Sequence, residues 1–254
     1  MPSKNPLVSI IMPCHNSMNF VGRAIDSVLK QTYEDWELII IDDCSSDATV
    51  SILHKYQKSY PHKIRIVLNN ANLGADKTRN RGIDKAQGRF IAFIDSDDYW
   101  LEKKIAIQIQ FMESNQSSFS FTGVVVDESD SRRVRNIPRR VRRSDILKNN
   151  CITTSSVIYN ARKAGKPKIP EIRKGQDLAM WLLLMKTFNH ADGLDIPLVV
   201  YFKRENSLSA NKLNSAKWVW RLYRNVEKMS LIKSLYYFMF YAANGIRKHF
   251  FNKL

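Results

Sequence analysis

The sequence lacks what a membrane span or a disulfide framework would need. No stretch reaches the roughly 18–20 uninterrupted apolar residues of a spanning helix, and the longest candidate, Leu235 to Ala243, is about half that length. The opening Met-Pro-Ser-Lys-Asn-Pro leads straight toward an apolar strand at Val8 with no apolar signal region. The expectation is a protein that is neither secreted nor membrane-spanning. Cysteines are few: Cys14, Cys44 and Cys151 are odd in number and form no CxxC pair. That argues for reduced thiols in a cytosolic setting and against a zinc site. Internal repeats and low-complexity linkers are also missing. Acidic residues are scarce, 24 against 40 Lys and Arg, for a net charge of +16. Such an excess predicts an anionic partner: nucleic acid, an anionic membrane surface, or a phosphorylated or acidic substrate.

What is present is a regular alternation. A strand over Val8–Met12 is followed by a helix near Met18–Lys30 with Val21, Ala24, Ile25, Val28 and Leu29 on one face. Trp36–Ile41 reads as a second strand, and the Ser/Asp cluster after it suits a helix start running to about Tyr60. Ile64–Leu68 is a third strand, Ala75–Ala86 a helix, and Phe90–Ile94 a fourth strand. Four strand-then-helix units imply an α/β fold with a parallel, nucleotide-binding type of sheet. Further on, strands are expected at Phe119–Asp127, Ile152–Tyr159 and Leu198–Phe202, a helix at Gln176–Lys186, and two helices from Ala216 onward.

The fourth strand ends abruptly in Asp95-Ser96-Asp97-Asp98. In open α/β sheets ligands bind beyond the carboxyl ends of the strands. Three carboxylates so close together need a cation to stay ionised, and Mg²⁺ or Mn²⁺ takes carboxylate oxygens together with substrate phosphates. Taken alone, the cluster fits either a metal–diphosphate site or a solvated turn capping the next helix.

Its company narrows the reading. Val8-Ser9-Ile10-Ile11-Met12-Pro13-Cys14-His15-Asn16, Ile41-Asp42-Asp43-Cys44-Ser45-Ser46-Asp47, Asn72-Leu73-Gly74 with Arg79-Asn80-Arg81-Gly82-Ile83, the acidic cluster, and Gly175-Gln176-Asp177-Leu178-Ala179-Met180-Trp181 follow in one order. In that order and spacing the chain resembles a family 2 glycosyltransferase of the GT-A, Rossmann-like fold over roughly residues 6–210. The resemblance implies a nucleotide-binding half over about 6–115, an acceptor half over about 116–215, and a helical appendage over 216–254. It implies that Pro13 and Asn16 shape the loop near base and ribose, that Asp43 hydrogen-bonds a uracil ring, and that Arg79 lies close to the nucleotide. Asp95, Ser96 and Asp97 would bind the nucleotide sugar, with Asp97 or Asp98 holding Mn²⁺ or Mg²⁺ against the diphosphate. Asp177 would be the general base of an inverting transfer from a UDP-sugar to a saccharide acceptor. His15 stands where the family usually has an aromatic residue, and Gln176 where a Glu often precedes the base. Bacterial lipopolysaccharide, O-antigen or capsule is the implied product.

Two basic segments concern partners. Seven of the twelve residues 132–143 are arginine, read as a loop forming a platform for anionic lipid or a phosphorylated acceptor. From Lys217 onward eight Lys and Arg face one Glu, interleaved with aromatics from Trp218 to Phe251. Arg221, Arg224 and Lys228 are expected on one helical face, as in an interfacial amphipathic helix. Peripheral binding to the inner face of the cell membrane is one expectation, and pairing of C-terminal helices between two copies is the other. The charge alone also raises a nucleic-acid-binding protein, and the fold a catalytically inactive membrane scaffold. The carboxylates at 43, 95, 97, 98 and 177 favour the enzyme, and nucleic acid is not an expected partner.

Overall fold

The computed structural model describes residues 7–128, 131–172, 174–202 and 212–251, with side chains left aside at 212–215 and 246–251. Phe250 and Phe251 therefore fall outside the described side chains. The first strands are β1 (Val8–Cys14), β2 (Trp36–Asp42), β3 (Ile64–Leu68) and β4 (Phe90–Phe93), alternating with helices α1 (Val21–Leu29), α2 (Thr49–Ser59) and α3 (Ala75–Lys85). All seven residues of β2 and all four of β4 are buried. Strands covered on both faces read as continuous apolar runs, and these four pair parallel in the order β3-β2-β1-β4. Within β2, Glu37 accepts from Ser9 Oγ at 2.6 Å and from the Gln87 N–H at 2.8 Å. These contacts satisfy a buried polar group that would otherwise be costly.

The second half departs from pure parallel winding. After β5 (Tyr99–Trp100) and α4 (Lys104–Ser114) come β6 (Phe119–Glu128), β7 (Ser131–Arg135), β8 (Arg140–Arg142), α5 (Arg143–Lys148), β9 (Ile158–Asn160), α6 (Ala161–Ala164), α7 (Gln176–Phe188) and β10 (His190–Phe202). The short β9 pairs antiparallel with both β4 and β6, while β10 runs parallel to β6 and extends the sheet to β5. The outcome is a mixed central sheet flanked by helices.

Three expectations are corrected here. Residues 152–159 are not one strand: Thr154–Ser156 is a 3₁₀ turn and only Ile158–Asn160 is extended. The arginine-rich segment is not an open loop but contributes β7 and β8, which pair with β6 and β10. Its charge is also largely matched, since Arg132, Arg133, Arg140 and Arg143 bridge to Asp127, Glu128, Asp192 and Glu227. Cross-strand opposite charges stabilise an edge pair, so fewer cations remain for a polyanion than the sequence suggests. Lastly, Arg221, Arg224 and Lys228 do not line one helical face. Helix α8 (Lys212–Arg221) passes into a π turn at Leu222–Val226, and Lys228 lies beyond it with φ +49°.

The C-terminal helices join the main body. Val219, Leu222 and Tyr223 belong to the same buried cluster as Phe93, Tyr159 and Trp181, and the Tyr223 hydroxyl donates to the Leu147 carbonyl at 2.5 Å. After the turn, α9 (Leu231–Phe251) packs on α5. Among the described residues no helix is long and apolar enough to cross a membrane.

One core residue breaks the rules of burial. Lys104, at the start of α4, is fully buried, and its Nζ has no hydrogen-bond partner. It lies 3.9 Å from the centre of the Trp100 ring. Burial pushes the ammonium well below its ordinary 10.5. The unfolded chain therefore binds the proton more readily, and stability rises with pH between the lowered native value and 10.5. Lys104→Met is expected to stabilise the fold by about 1–3 kcal/mol at neutral pH. The gain should shrink toward pH ~10; denaturant unfolding at the two pH values checks both.

Candidate active site

The acidic cluster follows β4 as a tight turn, closed by the Asp98 N–H donating to the Asp95 carbonyl at 3.0 Å. Ser155 is its anchor. The Ser155 hydroxyl accepts from the Asp95 N–H at 3.0 Å and donates to Asp98 Oδ2 at 2.5 Å, while the Ser155 carbonyl accepts from Trp100 Nε1 at 2.8 Å. Two more contacts hold the turn from outside. Arg23 donates to the Asp97 carbonyl at 3.0 Å with its guanidinium 3.8 Å from the Phe202 ring, and Ser96 Oγ lies 2.9 Å from Ser17 Oγ.

The four residues of the turn thus divide. Asp95, Ser96 and Asp97 remain partly exposed, whereas Asp98 is fully buried. Asp98 is spent on Ser155 and on the Phe202 N–H, 3.4 Å from Oδ1. Burial first, then the charges of Asp95 and Asp97, push its carboxyl well above the usual range. Expected as a metal ligand, Asp98 in this structure ties the turn to Ser155 and to the end of β10 at Phe202.

Loops from β1 and β2 form the neighbouring wall. Pro13 is the penultimate residue of β1, paired with Ile41. Asn16, left-handed at φ +47°, donates its N–H to Ser45 Oγ at 2.9 Å and accepts from the Ser46 N–H at 2.9 Å. Asp42 accepts from the Ser45 N–H and hydroxyl. Asp43 accepts from Asn69 Nδ2 at 2.7 Å, the Leu73 N–H at 2.8 Å and the Gly74 N–H at 2.9 Å. Burial alone would raise its carboxyl, but these donors outweigh that and hold it below the usual range. A carboxylate has about four acceptor positions, so most of Asp43 is committed to pinning the 69–74 loop.

Arg79 links the acidic turn to the start of α7. Its helix lies very close to the sheet at Gly82, where a Cβ would come 2.5 Å from Ile11 and 2.7 Å from Ile41. That approach brings Arg79, one turn earlier, within 2.5 Å of Asp95, with a longer contact of 3.5 Å to Gln176. Next to Gln176, Asp177 opens α7 and shares a small crevice with Arg79 and Thr154. Burial pushes the Asp177 carboxyl up, and the charge of Asp95 adds to this, while the Leu178 N–H and Arg79 oppose it. Asn150 Nδ2 donates to Asp177 Oδ2 at 2.9 Å. A cavity of about 690 Å³ lies elsewhere, between α1 and β5, lined by Arg23, Ser27, Tyr99 and Trp100.

Comparison with known proteins identifies the family. A family model described as "Glycosyl transferase family 2" matches residues 9–166. The chain belongs to this family. Among relatives, a Bacillus subtilis protein named as the teichuronic acid biosynthesis glycosyltransferase TuaG is 38% identical over 251 residues, covering 98% of this chain and 99% of its own. Escherichia coli WfgD, a UDP-Glc:alpha-D-GlcNAc-diphosphoundecaprenol beta-1,3-glucosyltransferase, is 32% identical over 249 residues, covering 97% and 96%. TarS 1–349 of S. aureus, solved with UDP-GlcNAc, superposes with a TM-score of 0.67 at 24% identity, covering 85% of this chain and 64% of that one. The last likeness establishes the GT-A architecture.

The sequence motifs single out Pro13, Asn16, Asp43, Arg79, Asp95, Ser96, Asp97, Asp98 and Asp177, and the structure sets Arg79 beside Asp95 and Gln176. Ser155, Asn150 and Arg23 carried no such signal. They contact the motif residues 57, 27 and 74 positions away respectively, and no local pattern marks a partner at that range. Asn150→Ala is expected to lower kcat roughly tenfold to a hundredfold by releasing the Asp177 carboxylate. Loss of a donor to the charged form also raises the Asp177 pKa. The acid limb of the pH–rate profile should therefore move to higher pH, and a pH series of initial rates reads both effects.

Proposed function

We propose that this glycosyltransferase moves a hexose from a UDP-sugar, with inversion, to a saccharide on a lipid carrier during synthesis of a bacterial surface polysaccharide. The observation that carries the reading is the meeting of Arg79, Asp95 and Asp177 between the acidic turn and the base helix. Asp177 takes the proton of the acceptor hydroxyl as that oxygen bonds to the anomeric carbon, and the bond from that carbon to the diphosphate breaks. Its raised pKa suits a base that must later give the proton up. Arg79 and the backbone of the turn orient the diphosphate, and Asn16 with the loop pinned by Asp43 forms the base and ribose wall.

A divalent cation fits the donor set. Among the described residues no group of three or more His, Cys, Asp or Glu could hold a metal. Mg²⁺ and Mn²⁺ are commonly held by one or two protein carboxylates with substrate phosphate completing the shell. Asp97 would be the ligand, with Asp95 beside it, and the ion would neutralise charge on the departing diphosphate. Support comes from relatives: WfgD is named for a UDP-Glc donor and a diphosphoundecaprenol-linked acceptor, and a mannosyltransferase of Pyrobaculum calidifontis was solved with GDP-Man and Mn²⁺.

The test is a panel of UDP-sugars incubated with the protein in Mn²⁺ or in EDTA, with UDP release as readout. Release with at least one sugar, lost in EDTA, is expected. Absence of release from every donor, with acceptor lipid present, would refute the assignment.

A further inference from the structure

Helix α9 is apolar on both sides, which a helix packed on one face of a protein has no need to be. Its inner side holds Ser234, Tyr237, Phe238 and Tyr241 against the body. Its outer side presents Leu231, Ile232, Leu235, Tyr236, Met239 and Phe240, each at least 40% exposed, with Ile232 at 81%. These recur at the three- and four-residue steps that put side chains on one helical stripe. Contiguous exposed apolar surface of this kind marks a contact with something outside the chain.

The charges around the stripe select the partner. Lys148 lies 4.9 Å from the Phe240 ring and 5.5 Å from the Tyr236 ring, and Arg224, Lys228 and Lys233 are exposed nearby in sequence. The one acid of the segment, Glu227, has its side chain only 3% exposed and is consumed by Arg143 and Lys186. An isologous contact with a second copy would set these cations against themselves. The stripe is also short for a dimer: it spans only about 14 Å of helix. An apolar face with aromatics and a cationic border matches the headgroup–acyl boundary of an anionic bilayer.

We infer that the outer face of α9 is the bilayer-docking surface of this enzyme, inserting Ile232, Leu235, Tyr236 and Met239 among the acyl chains of an anionic leaflet. The inference deepens the proposed function, on which its biological sense rests, by naming the surface that meets the acceptor's membrane. On the same helix Asn244 donates to the Lys148 carbonyl at 3.3 Å. Tyr241 lies near enough to Asp177 to feel its charge.

The experiment is flotation of the full-length protein with vesicles of phosphatidylglycerol and phosphatidylcholine, or phosphatidylcholine alone. Wild type should float with the anionic vesicles and much less with the neutral ones. Ile232→Glu/Met239→Glu should weaken partitioning at least about tenfold, with an unchanged thermal midpoint and unchanged UDP release without lipid. Lys233→Glu should weaken binding to anionic vesicles only, and added salt should mimic it. Flotation of the double variant equal to wild type overturns the inference. So does a wild-type dimer in sedimentation that the double variant converts to monomer while flotation persists. Flotation uses no donor sugar, so failure here is separable from failure of the UDP-release assay.

Discussion

Asp177→Asn is expected to lower transfer by about 10²–10⁴-fold, the usual worth of a positioned general base, while binding of UDP is retained. Asparagine keeps the shape, and its amide can still meet Asn150 with a flipped orientation, so α7 should start where it does. What is lost is the acceptor for the proton of the attacking hydroxyl. The wild-type profile provides a second readout. The base must be ionised, and burial raises its pKa, so kcat should rise with pH through an acid limb above the ordinary carboxylate value of 3.8. In Asp177→Asn that limb should vanish. Equal weakening of UDP binding and of transfer would place Asp177 in the donor site instead.

Asp97→Asn is the complementary change, with an expected loss of about 10²–10³-fold in kcat/KM. It should also remove the difference in UDP affinity between Mn²⁺ and EDTA, measured by titration calorimetry. A drop in affinity in EDTA equal to the drop in Mn²⁺ would mean that Asp97 acts without the ion. Asp98→Asn behaves differently under the same account. Buried and tied to Ser155 and Phe202, it should leave the metal dependence of UDP binding in place and show its cost in thermal stability.

The first half of the chain was legible because its signals are local. Val8–Met12 and Trp36–Ile41 are apolar runs buried on both faces, and each is followed by polar residues that start a helix. The site motifs ride on the ends of those strands, so placing the strands places Asp43 and Asp95. The second half was less legible because its pairing is remote and β7 and β8 lack apolar alternation. Ser131–Arg135 forms a strand by antiparallel pairing with β6, with Arg132 opposite Asp127, a charge match that periodicity does not reveal. Ser155 and Ser156 lie within an apparently β-prone run, yet their hydroxyls serve Asp98 and the Thr153 carbonyl. Asp98 shows the same limit at one residue: its neighbours in sequence mark it as a ligand, and only the fold turns it inward. The tail's composition indicated an interfacial helix, but its outward apolar face lies on α9 rather than along Arg221, Arg224 and Lys228.

The most direct test of the account is the anomeric configuration of the product. A UDP-sugar with an α-linked leaving group, the matching lipid-linked acceptor and Mn²⁺ are combined, and the new linkage is read from its proton coupling by NMR. A single in-line displacement with Asp177 as base predicts a β-linked product. An α-linked product would contradict it, since retention requires a different arrangement of nucleophile and leaving group at the anomeric carbon.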